Sequence, residues 1–292
     1  MPNASVNGVD LCYDTIGDSS DPALLLVMGL GGQLTSWDEK FCRALADCGR
    51  FVIRYDNRDS GLSTKHEGIL VDVIAVMAAA VGGEPLPPVP YTLSEMAADG
   101  IGLLDHLGID RAHVLGVSMG GMIVQTMALE HPSRLRSMTS VMSMTGDPEY
   151  GAPTPEAAAA LFAPPPTGRE AIIENSVRTW KIIASPQHFD PEQTRLRSTA
   201  DYDRSYCPDG VARQLAAIFA SGPRGERLGS VTVPTLVIHG KADTLITVSG
   251  GVHTAEVIPN ADLLLVHDMG HDLPEPCWPL IISAVTAHTD RA

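Results

Sequence analysis

Short apolar or nearly apolar runs recur along the chain, separated by stretches with helical patterning. They are Ala23–Met28 (ALLLVM), Phe51–Tyr55 (FVIRY), Ala112–Gly116 (AHVLG), Leu135–Met142, Thr235–His239 (TLVIH) and Leu263–His267 (LLLVH). A strand wetted on one face alternates apolar and polar residues, whereas a strand covered on both faces does not. Runs of this kind therefore predict a mostly parallel sheet flanked by helices. The intervening patterns predict helices at Trp37–Cys48, Leu93–Leu107, Met119–His131, Ser249–Ile258 and Cys277–His288. Thr92, with Glu95 following three residues later, marks the start of one of them as a capping box. Ahead of the first run, "VNGVDLCYDTIGD" centres on Asn-Gly and predicts a hairpin.

The alternation stops between residues 144 and 230. No strand pattern occurs there, and proline, alanine and helical spacing take over. "APTPEAAAALFAPPPTG" reads as a proline-punctuated connection, followed by three helices in "REAIIENSVRTWKIIA", "PEQTRLRSTADYDRSY" and "DGVARQLAAIFA". "VTVPTLVIHG" then resumes the sheet at once. The expected organisation is an α/β core of residues 1–143 and 231–292, with a helical cap of residues 144–230 inserted before the penultimate strand.

Composition narrows the possibilities. A chain of 292 residues with 44% hydrophobic and 19% charged residues is an ordinary globular protein with room for a large core. A net charge of -15 without any Lys/Arg cluster argues against nucleic acid as a partner. The five cysteines are scattered and contain no C-x-x-C pair, which fits reduced thiols in a cytoplasmic protein and neither a disulfide framework nor a zinc site. "MPNASVNGVD" carries no basic segment followed by an apolar one. The run Ile69–Gly82, "ILVDVIAVMAAAVG", is too short to span a bilayer and contains Asp72, so a buried or site-lining helix is expected and membrane insertion is not. "EPLPPVP" (Glu84–Pro90) reads as a rigid connector.

Chemistry concentrates where the Ala112–Gly116 run meets the next helix. Gly116-Val117-Ser118-Met119-Gly120 fits G-x-S-x-G, in which glycines tolerate a crowded turn that forces the serine into a strained conformation. A serine hydroxyl needs a base. His271 lies on the loop past the last run, at the sheet edge where Ser118 emerges; His267 is expected to pack, and His239 to be structural. The acid that fixes the histidine tautomer is assigned to Asp243, four residues beyond a strand end, in preference to Asp147; Asp272 is expected to point elsewhere. Acyl transfer also needs preorganised N–H donors, for which Met119, directly after the serine, and Leu30, in "VMGLGGQ", are the candidates.

Together these motifs resemble the α/β-hydrolase superfamily over essentially the whole chain. "RYDNRDSGLST" resembles the family's D-x-R-G-x-G-x-S turn with Asp59 where glycine is usual. "VMGLGG" resembles its H-G-x-x-G loop, with Met28 in place of a histidine that generally supports the loop by hydrogen bonding. "DSSDPALLLVMGLGG", "VIRYDNRDSGLST" and "MGHDLP" look most like the aclacinomycin-methylesterase-like and mycobacterial LipG-like serine hydrolases. The resemblance implies hydrolysis of a small apolar ester through an acyl-enzyme, with no metal and no cofactor. Carbon–carbon hydrolases, perhydrolases of the cofactor-free haloperoxidase type, and some cofactor-independent oxygenases share the same triad. A ligand-binding protein on this scaffold is the alternative outside enzymes. Met144, Trp180 and Phe219 are expected to contact substrate under the cap, in a pocket for short-to-medium acyl chains or a hydrophobic methyl ester. With no exposed apolar surface readable, a long-chain interfacial lipase is disfavoured.

Overall fold

A computed structural model describes residues 1–292. Its strands are β1 (Asn3–Val6), β2 (Val9–Ile16), β3 (Ala23–Val27), β4 (Phe51–Tyr55), β5 (Ala112–Val117), β6 (Leu135–Val141), β7 (Thr235–Gly240) and β8 (Asp262–Val266). They form one sheet in the order β1-β2-β4-β3-β5-β6-β7-β8. Only the first two strands run antiparallel to their neighbours; the others are parallel. The β1–β2 hairpin turns at Asn7 and Gly8, both left-handed at φ 46° and 77°, as a two-residue Asn-Gly turn requires.

Helices α1 (Glu39–Asp47), α2 (Val73–Gly82), α3 (Leu93–His106) and α4 (Met119–Glu130) come from the first half of the chain. Then come α5 (Pro155–Phe162), α6 (Arg169–Ile183), α7 (Pro191–Arg204), α8 (Pro208–Ala220) and the single turn α9 (Gly225–Leu228), all between β6 and β7. Helices α10 (Val248–Val257) and α11 (Trp278–Asp290) complete the core. Thr92 caps α3 as its sequence suggests, with Glu95 accepting from Thr92 N–H at 2.7 Å.

Both faces of the sheet are covered, which is why its central strands tolerate unbroken apolar runs. Leu25 and Val27 of β3 point into one cluster with Ile53, Val114, Met127 and Leu104. Leu24 and Leu26 point into the other with Trp37, Phe41, Trp278 and Ile281. The pleat alone separates these neighbours. At the edge strand β8 the rule fails: Leu263 is exposed, and His267, expected to pack, has a side chain 83% exposed beside Asp268. An edge strand has a neighbour on one side only, so an apolar run there need not be enclosed.

Two further expectations are corrected. The proline-punctuated connection contains a helix, α5, with Pro155 at its first position and Thr154 Oγ1 accepting from Ala157 N–H. Proline costs nothing there because that N–H has no helical partner. The Ile69–Gly82 segment forms α2, but only Val76 of the helix is buried; Leu70 is 78% and Val81 81% exposed. Asp72 sits in the run because its carboxylate caps α2 through Ala75 N–H at 3.0 Å. A uniformly apolar run has no polar stripe to show which side faces the protein, and α2 lies outside the sheet layers, against α8. The exposed apolar surface that could not be read from sequence is therefore present here. No helix is long and apolar enough to cross a membrane.

Candidate active site

Parallel strands carry their following loops to one edge of the sheet. There β3 ends at Val27, β5 at Val117, β6 at Val141, β7 at Gly240 and β8 at Val266. Ser118 follows β5 with φ 55° and ψ -121°, a conformation that side chains rarely adopt. Its turn is packed to contact. A Cβ on Gly116 would lie 2.1 Å from Gly120 O, and one on Gly120 would lie 2.0 Å from Val27 O. Ser118 N–H donates to Val141 O at 2.9 Å, and Ser143 Oγ donates to Ser118 O at 2.8 Å, so the turn is gripped from β6 as well.

Ser118 Oγ lies 3.0 Å from His271 Nε2, and His271 Nδ1 lies 2.8 Å from Asp243 Oδ2. The residues come from the loops after β5, β8 and β7 respectively, and His271 and Asp243 are buried while Ser118 is half-buried. Burial pushes the Asp243 carboxyl up, but His271 and His239, facing it at 2.8 and 3.5 Å, outweigh that and bring it down to about 2. Its other oxygen accepts from Leu245 N–H and Ile246 N–H, both at 2.9 Å. An ionised carboxylate only accepts, so His271 Nδ1 carries the proton and Nε2 is left free to accept from the serine hydroxyl. His239 is buried behind Asp243, with Nε2 2.8 Å from Ile246 O and 3.5 Å from Asp243 Oδ2.

The two acids passed over in favour of Asp243 have other partners. Asp147 accepts from Thr145 Oγ1 and lies 3.4 Å from His253, whose ring stacks on Tyr150. Asp272 accepts from Ser185 N–H at 2.8 Å and from the Ser185 hydroxyl, which in turn accepts from Gly270 N–H at 2.8 Å. His271 N–H donates to Ile183 O at 2.7 Å, and Thr244 Oγ1 donates to Ile182 O at 2.9 Å. The C-terminal end of α6 thus holds the histidine loop and the acid loop together. None of these cap contacts was foreseen from sequence.

The loop after β3 passes beside the serine: a Cβ on Gly29 would stand 3.0 Å from Ser118 Cβ. Leu30 N–H donates to no group of the chain. Met119 N–H belongs to the first turn of α4, where amides have no helical acceptor. Met28 packs its thioether beneath Gly32, and the support expected of a histidine comes from other residues. Asn57 Nδ2 donates to Met28 O at 2.9 Å, Asp56 Oδ1 accepts from Leu34 N–H at 2.6 Å, and Gln214 Oε1 accepts from Gly31 N–H at 2.8 Å. Asp59, at the glycine position of its turn, does adopt the left-handed φ of 67° that glycine would favour.

Of the expected substrate contacts, Met144 is half-buried against the apolar cluster that contains Met119, Met122 and Ile246, and Leu30 packs on that cluster too. Phe219 is half-buried near the end of α8, while Trp180, in the last turn of α6, is 37% exposed. No three His, Cys, Asp or Glu side chains converge as a metal site would require.

Comparison with known proteins agrees with this architecture. The family described as alpha/beta hydrolase fold matches residues 22–275. Rhodomycin D methylesterase DauP of Streptomyces sp. (strain C5) is 29% identical over 97% of this chain and 96% of its own. A 2-hydroxy-6-oxononadienedioate/2-hydroxy-6-oxononatrienedioate hydrolase of Cupriavidus pinatubonensis is 33% identical over 58% of this chain and 59% of its own. Among solved structures, the enol-lactonase from Burkholderia xenovorans LB400 superposes with a TM-score of 0.76 at 24% identity, covering 99% of this chain and all of that one, a likeness of fold. With the family pattern spanning most of its length, this chain belongs to the α/β-hydrolase family.

Proposed function

We propose that this protein hydrolyses carboxylic esters through an acyl-enzyme on Ser118. The observation that carries the reading is the continuous relay from Ser118 Oγ through His271 to Asp243, at 3.0 and 2.8 Å. In the first step His271 Nε2 takes the hydroxyl proton as Ser118 Oγ bonds to the ester carbonyl carbon. The carbonyl oxygen gains the negative charge, met by the Leu30 and Met119 amides. The tetrahedral species collapses, the bond to the alcohol oxygen breaks, and His271 returns its proton to that oxygen. Water then attacks the acyl-enzyme with the same base and frees the acid and Ser118.

The substrate we favour is a small apolar ester, and among such esters a methyl ester on a hydrophobic acid. Two features support this: half-buried Leu30 and Met144 pack on the apolar cluster that contains Met119, the residue after Ser118, and a relative matched along nearly its full length is named a methylesterase. Hydrolysis of p-nitrophenyl acetate, butyrate and octanoate tests the reading, with Ser118→Ala expected to lose at least about a thousandfold. Equal rates for wild type and Ser118→Ala would sink it.

Carbon–carbon hydrolysis by the same triad is the second reading, favoured by the Cupriavidus relative. Cleavage of a 2-hydroxy-6-oxo-dienedioate faster than of any ester would put it first.

A further inference from the structure

The loop that carries Leu30 is braced from the cap. Gly32 N–H donates to Gly29 O at 3.1 Å, closing a tight turn whose central residues are Leu30 and Gly31. Gly31 has φ 66°, the left-handed value that the third residue of a type II turn requires. Type I and type II turns differ by a flip of the central peptide, here the one joining Leu30 to Gly31. Gln214 on α8 holds that peptide: its Oε1 accepts Gly31 N–H at 2.8 Å.

Gln214 is fully buried, and the rest of its amide is also engaged. Nε2 donates to Arg58 O at 2.7 Å and to Ser60 Oγ at 3.0 Å. These partners fix the amide's orientation, because flipping it would set oxygen against Arg58 O and NH2 against Gly31 N–H. The helix behind it is fixed too. The adjacent Arg213 forks both oxygens of Asp59, in the same turn as Arg58 and Ser60, at 2.8 Å each.

We propose that Gln214 is a positioning residue for oxyanion stabilisation, locking the Leu30–Gly31 peptide so that the preceding Leu30 N–H stays directed at the developing negative charge beside Ser118. The inference rests on the hydrolase reading above. It also accounts for Met28: with no histidine supporting the loop from within, an amide from the cap does so from outside. The role belongs to Gln214 by geometry, since its acceptor reaches the one peptide whose flip would reshape the turn.

The test compares wild type with Gln214→Met, Gln214→Asn and Gln214→Glu on p-nitrophenyl butyrate, with rates expressed per titrated active site. Gln214→Met fills the volume without polar atoms. Gln214→Asn stays polar enough to fold but is one methylene too short to reach Gly31 N–H while bonding Arg58 O. For both, kcat is expected to fall about tenfold to a hundredfold with KM within about twofold. Affinity for an alkyl trifluoromethyl ketone, which forms a tetrahedral oxyanion on the serine, is expected to fall by the same factor as kcat/KM. Gln214→Glu, buried between a carbonyl and a hydroxyl and so neutral, keeps an acceptor for Gly31 N–H and is expected to stay within about fivefold of wild type. A merely structural role would lower the titrated fraction or the melting temperature and leave kcat per site unchanged, and that result overturns the proposal. Wild type inert toward every ester overturns the hydrolase reading and the oxyanion role with it, an outcome recognisable before any variant is made.

Discussion

Arg213 and Asp59, 154 residues apart, form a fully buried two-pronged ion pair between the cap and the core. Burial would raise the Asp59 carboxyl, but Arg213, the Tyr91 hydroxyl at 2.6 Å and His66 N–H at 2.8 Å hold it below the usual range. Removing one partner leaves the other charge stranded. Arg213→Met is therefore expected to destabilise by about 3–5 kcal/mol in urea unfolding. Asp59→Gly in the Arg213→Met background restores the residue type that φ 67° favours and is expected to recover most of that loss. A double variant no more stable than Arg213→Met would refute the account.

Asp243→Asn separates the two duties of the acid. The new carbonyl can still accept from Leu245 and Ile246 N–H, so the loop should hold. Its NH2 then faces His271 Nδ1 and selects the tautomer with the proton on Nε2, which cannot accept from Ser118. We expect kcat to fall about 10³–10⁴-fold with little change in melting temperature. Loss of folding together with activity would show that the carboxylate's main duty is structural.

The glycines of the serine turn should be far less replaceable than glycines elsewhere. Gly120→Ala places its Cβ 2.0 Å from Val27 O, where backbone must move, and is expected to give no folded, active protein. Gly49 has a left-handed φ of 77° but meets nothing within 4 Å. Gly49→Ala is expected to cost about 1–2 kcal/mol and leave activity intact. Soluble yield and specific activity of the two variants check the contrast.

Acid should weaken the fold in two steps. Burial, with the charges of Arg50 and Arg136, lowers His113 from 6.5 to about 4. The unfolded chain then binds that proton first, so stability is full above about pH 6.5 and declines toward pH 4. Asp243, lowered from 3.8 to about 2, adds a second loss that runs from the unfolded value down to the folded one. Urea midpoints at pH 7, 5, 4 and 3 should show both, and His113→Asn should shrink the first without removing it, because burial lowers His288 below its ordinary value as well. A midpoint constant from pH 7 to 4 in wild type would contradict it.

What the sequence discloses here is local in character. G-x-S-x-G, the loop after β7 and the loop after β8 each carry their residue within a few positions of a strand end, so topology alone brings Ser118, Asp243 and His271 to one edge. The cap contacts are different. Gln214 and Arg213 sit on an amphipathic helix where such residues ordinarily face water, and nothing in their spacing reveals partners more than 140 positions away. Ser185 and Ile183 act through backbone and hydroxyl groups that leave no motif. The exposure of α2 and of His267 was hidden for a related reason: an apolar run records what could be buried, while coverage depends on which neighbours the fold supplies.

The end of α6 and the middle of α8 each hold part of the site, one through Ile183 and Ser185, the other through Gln214. Opening the cap as a rigid flap would therefore release the histidine loop and the β3 loop in the same motion. On the mechanism proposed above, a conformer with the cap detached would have lost both supports of the reacting groups, so substrate exchange is expected to proceed by smaller fluctuations that leave both attachments in place. Cap and core are accordingly expected to melt in one cooperative transition, and shortening the insertion to admit a larger substrate is expected to sacrifice turnover before it widens access.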